Sequence, residues 1–126
     1  MHKQRVKAVD ALALSYVLDG LKLLVNASYK TAAEHGWHNK YSSVGDKIAL
    51  MHSELSEALE EFRNHGDVRK IYFKGGKPEG LPVELADVII RIADFCGRYG
   101  IDLGTAIRLK LAYNETRPYR HGNKRM

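Results

Sequence analysis

Apolar residues recur at steps of three and four along most of the chain, which is the period of a helix face. In a first segment, about 6–34, Leu12, Tyr16, Leu23, Ala27 and Lys30 lie near one stripe, and Val17, Leu21 and Leu24 widen it. Gly20 is expected to mark a bend. The stretch HGWHNKYSSVGD (35–46) reads as a loop, since Gly36, Asn39, Ser42, Ser43 and Gly45 are turn formers. A second helix is expected over about 44–64. Val44, Ile48, Met51, Leu55, Ala58, Leu59 and Phe62 give it a core-facing stripe, and His65-Gly66 a stop. DVRKIYFKGGKPEGLP (67–82) reads as a connecting loop in which Ile71, Tyr72 and Phe73 are at most a short extended piece. A third helix is expected over about 82–99, opened by Pro82 and stopped at Gly100, and a fourth over about 103–116, capped by Asp102 and ended by Pro118. No segment reads as a convincing strand, and there is no internal repeat or low-complexity tract. The expected fold class is all-α, close to a four-helix bundle, in one domain spanning 1–126.

The third helix is unlike the others. Leu85, Val88, Ile89, Ile90, Ile92, Ala93, Phe95 and Cys96 go almost all the way around it, and its polar residues Glu84, Asp87, Arg91, Asp94 and Arg98 keep to one narrow stripe. A helix apolar on most sides is buried on most sides. A chain of 126 residues has a limited interior, so part of this surface is expected to meet another subunit, in a homodimer or homotetramer.

Composition changes this picture little. Hydrophobic residues make up 44% and charged residues 28%, as in ordinary globular proteins. No apolar run approaches the roughly 20 residues of a membrane span, and no signal peptide or membrane partner is expected. The single cysteine, Cys96, lies among apolar residues and reads as a small core residue. With no internal disulfide available, a cytoplasmic location is expected. The net charge of +5 is uneven, because the end RPYRHGNKRM (117–126) holds four basic residues and no acid. A basic end on a nearly neutral body points to an anionic partner.

The chemistry lies in the acids. Glu54 and Glu57 are three apart, as are Glu84 and Asp87, so each pair projects from one helix face. If the second and third helices pack as antiparallel neighbours, four carboxylates converge and repel one another unless they take up protons, pair, or bind a cation. All-oxygen ligands suit Mg²⁺, with Mn²⁺ a possible substitute. The plainer alternative is a solvated face, with Glu57, Glu60 or Glu61 paired to Arg63 or Lys47 and Asp87 paired to Arg91.

These residues also carry a resemblance. E-x-x-E at 54–57 followed by E-x-x-D at 84–87 resembles the metal motif of the all-α nucleoside triphosphate pyrophosphatases, the MazG-like family. ALMHSELSEALEEFR (49–63) and ELADVIIRIADFCGRYGIDLGTAIRLKLAYNETRPY (84–119) are similar to that family's helices. HGW at 35–37 is similar to the segment before the motif in its short, phage-like members. The resemblance implies Mg²⁺-dependent hydrolysis of a nucleoside triphosphate, notably a dNTP, to the monophosphate and pyrophosphate, in nucleotide-pool clean-up. It implies Glu54, Glu57, Glu84 and Asp87 as catalytic metal ligands. Lys110, Asn114 and Arg117 would hold phosphate oxygens, with Arg120 and Lys124 adding to them. Trp37 is a candidate for stacking on the base and His38 for hydrogen bonding to it; His52 sits off the ligand stripe. The alternative function is a helical nucleic-acid-binding module that uses the basic C-terminal end, although nucleic acid is a poor partner for four clustered acids.

Overall fold

The computed structural model describes the backbone of residues 2–118 and the side chains of 11–118. Four helices account for most of it: α1 (His2–Glu34), α2 (Val44–His65), α3 (Leu81–Tyr99) and α4 (Leu103–Glu115). The fold class is all-α. Helix α1 runs unbroken through Gly20, where the sequence suggested a bend.

Local chemistry sets the boundaries. Ser43 caps α2 by accepting from the Asp46 backbone N–H, and Asp46 accepts in return from the Ser43 N–H, at 3.0 and 3.1 Å. Gly66 ends α2 in the left-handed conformation, and its N–H bonds to the Phe62 carbonyl. Asp102 caps α4 through the Thr105 N–H at 3.0 Å. Gly100, at φ 64°, ends α3.

The link between α2 and α3 is more ordered than the expected loop. It holds a hairpin of β1 (Tyr72–Lys74) and β2 (Lys77–Glu79), with Tyr72 paired to Glu79. Gly75 and Gly76 form the turn with both φ values positive, the arrangement that a type I′ hairpin turn requires. Gly80 follows at φ 120°, and a Cβ there would collide with the Lys70 carbonyl oxygen. The backbone can therefore close this link only with glycine at that position.

The chain divides into two compact units. One comprises α1 up to Leu23 together with α4, where Gly104 lies against Leu18. The other, Leu24–Gly100, comprises the rest of α1, α2, the hairpin and α3. In this second unit α2 and α3 run antiparallel, since Glu54 meets Arg91 while Glu61 approaches Glu84. Gly97 of α3 allows the end of α1 to come close; a Cβ there would stand 2.6 Å from the Tyr29 Cβ.

Only part of the expected core stripe of α2 is buried within the chain: Ala58 is covered and Met51 half-covered. Val44, Ile48, Leu55, Leu59 and Phe62 are each more than two-fifths exposed, and the buried residues of α2 are Glu54 and Ala58. The helix turns its acidic side to α3 and leaves its apolar side outward. On α3, Leu85, Ile89 and Ile90 are also outward, while Ala93 and Cys96 are buried. Burial pushes the Cys96 thiol pKa up, so this sulfur is a packing atom and not a nucleophile. Although no uninterrupted apolar run approaches a membrane span, Ala11–Glu34 of α1 is long and apolar enough overall to cross a membrane. Core helices of soluble proteins can be as well.

Candidate functional site

The antiparallel pairing of α2 with α3 brings the expected acids together. Glu54, Glu84 and Asp87 each offer a carboxylate oxygen within 4.8 Å of the others. Glu57, exposed at the edge, interacts through its carboxyl with both Glu54 and Glu84. Glu54 and Glu84 are each only 8% exposed, which is rare for carboxylates without an opposite charge.

Arg91 supplies that charge to one of them. Its Nε donates to Glu54 Oε1 at 2.7 Å. Spacing along α3 alone pairs Arg91 with Asp87; its hydrogen bond runs instead across the helix pair. Burial works to raise the Glu54 pKa, but the Arg91 hydrogen bond and charge, together with hydrogen bonds from Glu57 and Glu84, outweigh it and hold the group below the usual carboxylate range.

Glu84 has no such help. Burial pushes its pKa up, the neighbouring Glu57 and Asp87 push it further, and it reaches about 7. Asp87 is raised as well, first by burial and then by Glu54, against the opposing charges of Arg91 and Lys77. The Glu84 Oε2 atom is buried and no hydrogen-bond donor reaches it. Its neighbours are other carboxyls, so only a shared proton or a cation can satisfy it. This donor set, all oxygen and short of positive charge, fits a hard divalent cation such as Mg²⁺ or Mn²⁺.

Two features of the site were not read from the sequence. Glu61 and Glu79 join Glu84 in a second group of carboxylates, again within 4.8 Å. The Tyr72 hydroxyl donates to Glu61 at 3.0 Å, so the hairpin docks on the acidic side of α2. The Gly75-Gly76 pair between two short strands was the available signal. The plainer pairings of the acids hold in part: Arg63 bonds to Glu60 at 3.4 Å, on the exposed surface.

Beside the acids lies a cavity of about 900 Å³ walled by the end of α1, residues 35–42, the start of α2 and the later part of α3. Trp37, His38 and Tyr41 line it, as does Arg91, which links it to Glu54. Trp37 is 65% exposed. His38 is held: its Nε2–H donates to Asp94 Oδ1 at 2.9 Å, and its ring packs on Tyr29 with centroids 5.0 Å apart. His38 Nδ1 is buried without a partner. His52 is exposed and outside both acid groups.

The expected phosphate ligands Lys110, Asn114 and Arg117 belong to the unit containing α4, not to the unit that holds the acids. All three are exposed, and the Lys110 ammonium lies 4.9 Å from the centre of the Tyr113 ring. Arg120 and Lys124 lie outside the described residues. Comparison with protein-family models, curated proteins and solved structures found no match.

Proposed function

We propose that this chain is a Mg²⁺-dependent nucleoside triphosphate pyrophosphohydrolase of the MazG-like type, acting on NTPs, dNTPs foremost, to release monophosphate and pyrophosphate. The observation that carries this reading is the Glu84 carboxyl, buried among Glu54, Glu57 and Asp87 with an oxygen that no donor reaches.

In this reading Glu54, Glu57, Glu84 and Asp87 would hold the cation. The metal would polarise phosphoryl oxygens and acidify water. Arg91 keeps Glu54 ionised and fixes its direction. Glu57 is the exposed member of the four, so its carboxylate is the one open to the attacking water and able to take its proton. Water adds to phosphorus, the bridge between the α and β phosphates breaks, and pyrophosphate leaves. Trp37 offers a ring face to the base at the cavity, and the Asp94-held His38 fixes its wall. Lys110, Asn114 and Arg117, with Arg120 and Lys124, are assigned to the phosphates by the resemblance alone.

The outward apolar faces of α2 and α3 support a bundle completed by a second or further copy of the chain, as a homodimer or homotetramer. Clean-up of the nucleotide pool in the cytoplasm is the corresponding role. The test is to incubate the pure protein with each NTP and dNTP plus Mg²⁺ and separate the products. Monophosphate with pyrophosphate is expected. Turnover should fall at least about 100-fold in Glu84→Gln and in Asp87→Asn with helicity retained. Unchanged turnover in both variants would sink the metal assignment.

A further inference from the structure

Like charges face each other on the hairpin. In the β1–β2 register Lys74 pairs with Lys77 across the Gly75-Gly76 turn. Two ammonium groups directly opposite on a strand pair weaken it. The fold does little to relieve them. Lys74 has no ion-pair partner among the described residues, and Lys77 Nζ, 3.5 Å from Glu79, sits on a side chain that is 76% exposed. An anion set between the two lysines would turn their repulsion into attraction.

The same register fixes which way they face. Side chains alternate along a strand, so Tyr72 and Lys74 share one face of the hairpin with Glu79 and Lys77, and Phe73 and Pro78 take the other. The first face is the one docked on the acids. Tyr72 donates to Glu61 at 3.0 Å, and Glu79 has a carboxylate oxygen within 4.8 Å of one on Glu84. Lys77 borders an open space of about 270 Å³ beside Glu57 and Glu84, and its charge acts on Asp87.

A triphosphate carries more negative charge than one divalent cation offsets, so its outer phosphates need cationic donors. Arg91, beside the acids, is engaged by Glu54. Lys110, Asn114 and Arg117 belong to the other compact unit, whereas Lys74 and Lys77 belong to the unit that holds the acids.

We propose that Lys74 and Lys77 form a phosphate clamp, a subsite on the hairpin for the two terminal phosphates of the substrate, which leave together as pyrophosphate. The inference rests on the metal site of the proposed function and adds to it the part that grips the leaving group. Lys77 exchanges Glu79 for a phosphate oxygen, and Lys74 closes from the opposite strand. An ammonium on a flexible stem acts as a point charge, so the clamp takes the diphosphate end whatever the base.

Titration calorimetry of the full chain with inorganic pyrophosphate, and separately with a nucleoside monophosphate, both in Mg²⁺, tests it. Lys74→Met and Lys77→Met should each weaken pyrophosphate binding by about 10-fold, the effect of losing a hydrogen bond to a charged group, and leave the monophosphate unchanged. Lys74→Arg should keep most of the affinity. Thermal melts should find Lys74→Met no less stable than the wild type, because a like-charge pair is relieved; a merely structural lysine would lower the Tm. Pyrophosphate affinity unchanged in the double variant but lost in Glu84→Gln would overturn the clamp and leave the metal site standing. Equal loss of both ligands would overturn the clamp too, as would a wild-type chain that takes up Mg²⁺ but no pyrophosphate. Pyrophosphate held through both lysines by a chain that hydrolyses no NTP would keep the clamp and sink the reaction.

Discussion

Arg91 Nε donates to Glu54 Oε1 at 2.7 Å across the α2–α3 pair, with Glu54 almost wholly buried. Removing the guanidinium strands a charge in the interface. Arg91→Met is expected to cost about 1.5–3 kcal/mol in EDTA, the range for a hydrogen bond to a charged group. Thermal melts would read this as a lower Tm. Saturating Mg²⁺ should shrink the difference from the wild type, since a cation would supply the missing positive charge. An equal loss with and without metal would show that Glu54 does not face the ion.

The pH dependence of stability follows from Glu84. Its ordinary pKa is 4.5, and in the folded chain it is about 7. Between these values the folded chain keeps a proton that the unfolded chain has lost, so stability falls as pH rises from about 4.5 to about 7. The raised Asp87 acts in the same direction, while the lowered Glu54 contributes stability that is lost only in acid. In EDTA the Tm should decline across that window and level off above it. Glu84→Gln should flatten the decline, and Mg²⁺ should restore stability most at the alkaline end.

Trp37 is the only tryptophan, so intrinsic tryptophan fluorescence reports on it alone. Nucleotide should quench that fluorescence. Trp37→Ala is expected to weaken nucleotide binding by about 1–3 kcal/mol, the range for a base on an aromatic face. KM should rise with kcat little changed. Unquenched fluorescence at saturating nucleotide would place the base elsewhere.

Gly97 and Tyr29 meet where α1 crosses α3. A methyl at Gly97 would stand 2.6 Å from the Tyr29 Cβ, an atom with no freedom to move aside. Gly97→Ala is expected to cost about 1–3 kcal/mol, as overpacking does. Because Tyr29 also packs on His38, the variant should loosen the histidine at the cavity wall. Denaturant melts measure the first effect, and the His38 ring resonances in NMR measure the second.

Much of this architecture was legible in the chain, for reasons that differ by element. The helices were, because Ser43, Gly66, Gly100 and Asp102 mark their ends with specific chemistry. The meeting of Glu54 and Glu57 with Glu84 and Asp87 was as well, since spacing by three fixes a shared face and antiparallel packing does the rest. The burial of α2 was not. Of its apolar stripe, the stronger periodic signal, Ala58 is covered while Leu55, Leu59 and Phe62 are outward, and the other covered residue is the acid Glu54. Hydrophobic period locates an apolar face but does not say whether that face meets its own chain. The partner of Arg91 was missed for a related reason: the nearest acid along a helix is easy to see, and the one across an interface is not. The hairpin was lost because two three-residue strands give too few positions for alternation to register.

Gly75 and Gly76 form an outward tip between two strands whose far end touches the acids. A small reporter grafted at that tip would sit a few residues from Glu79 without replacing any group in the site. Extra residues at the tip leave the Tyr72–Glu79 pair in step, whereas a single residue added after Glu79 would have to squeeze through the passage that Gly80 alone can follow. The same short link would therefore tolerate lengthening at one end and reject it at the other.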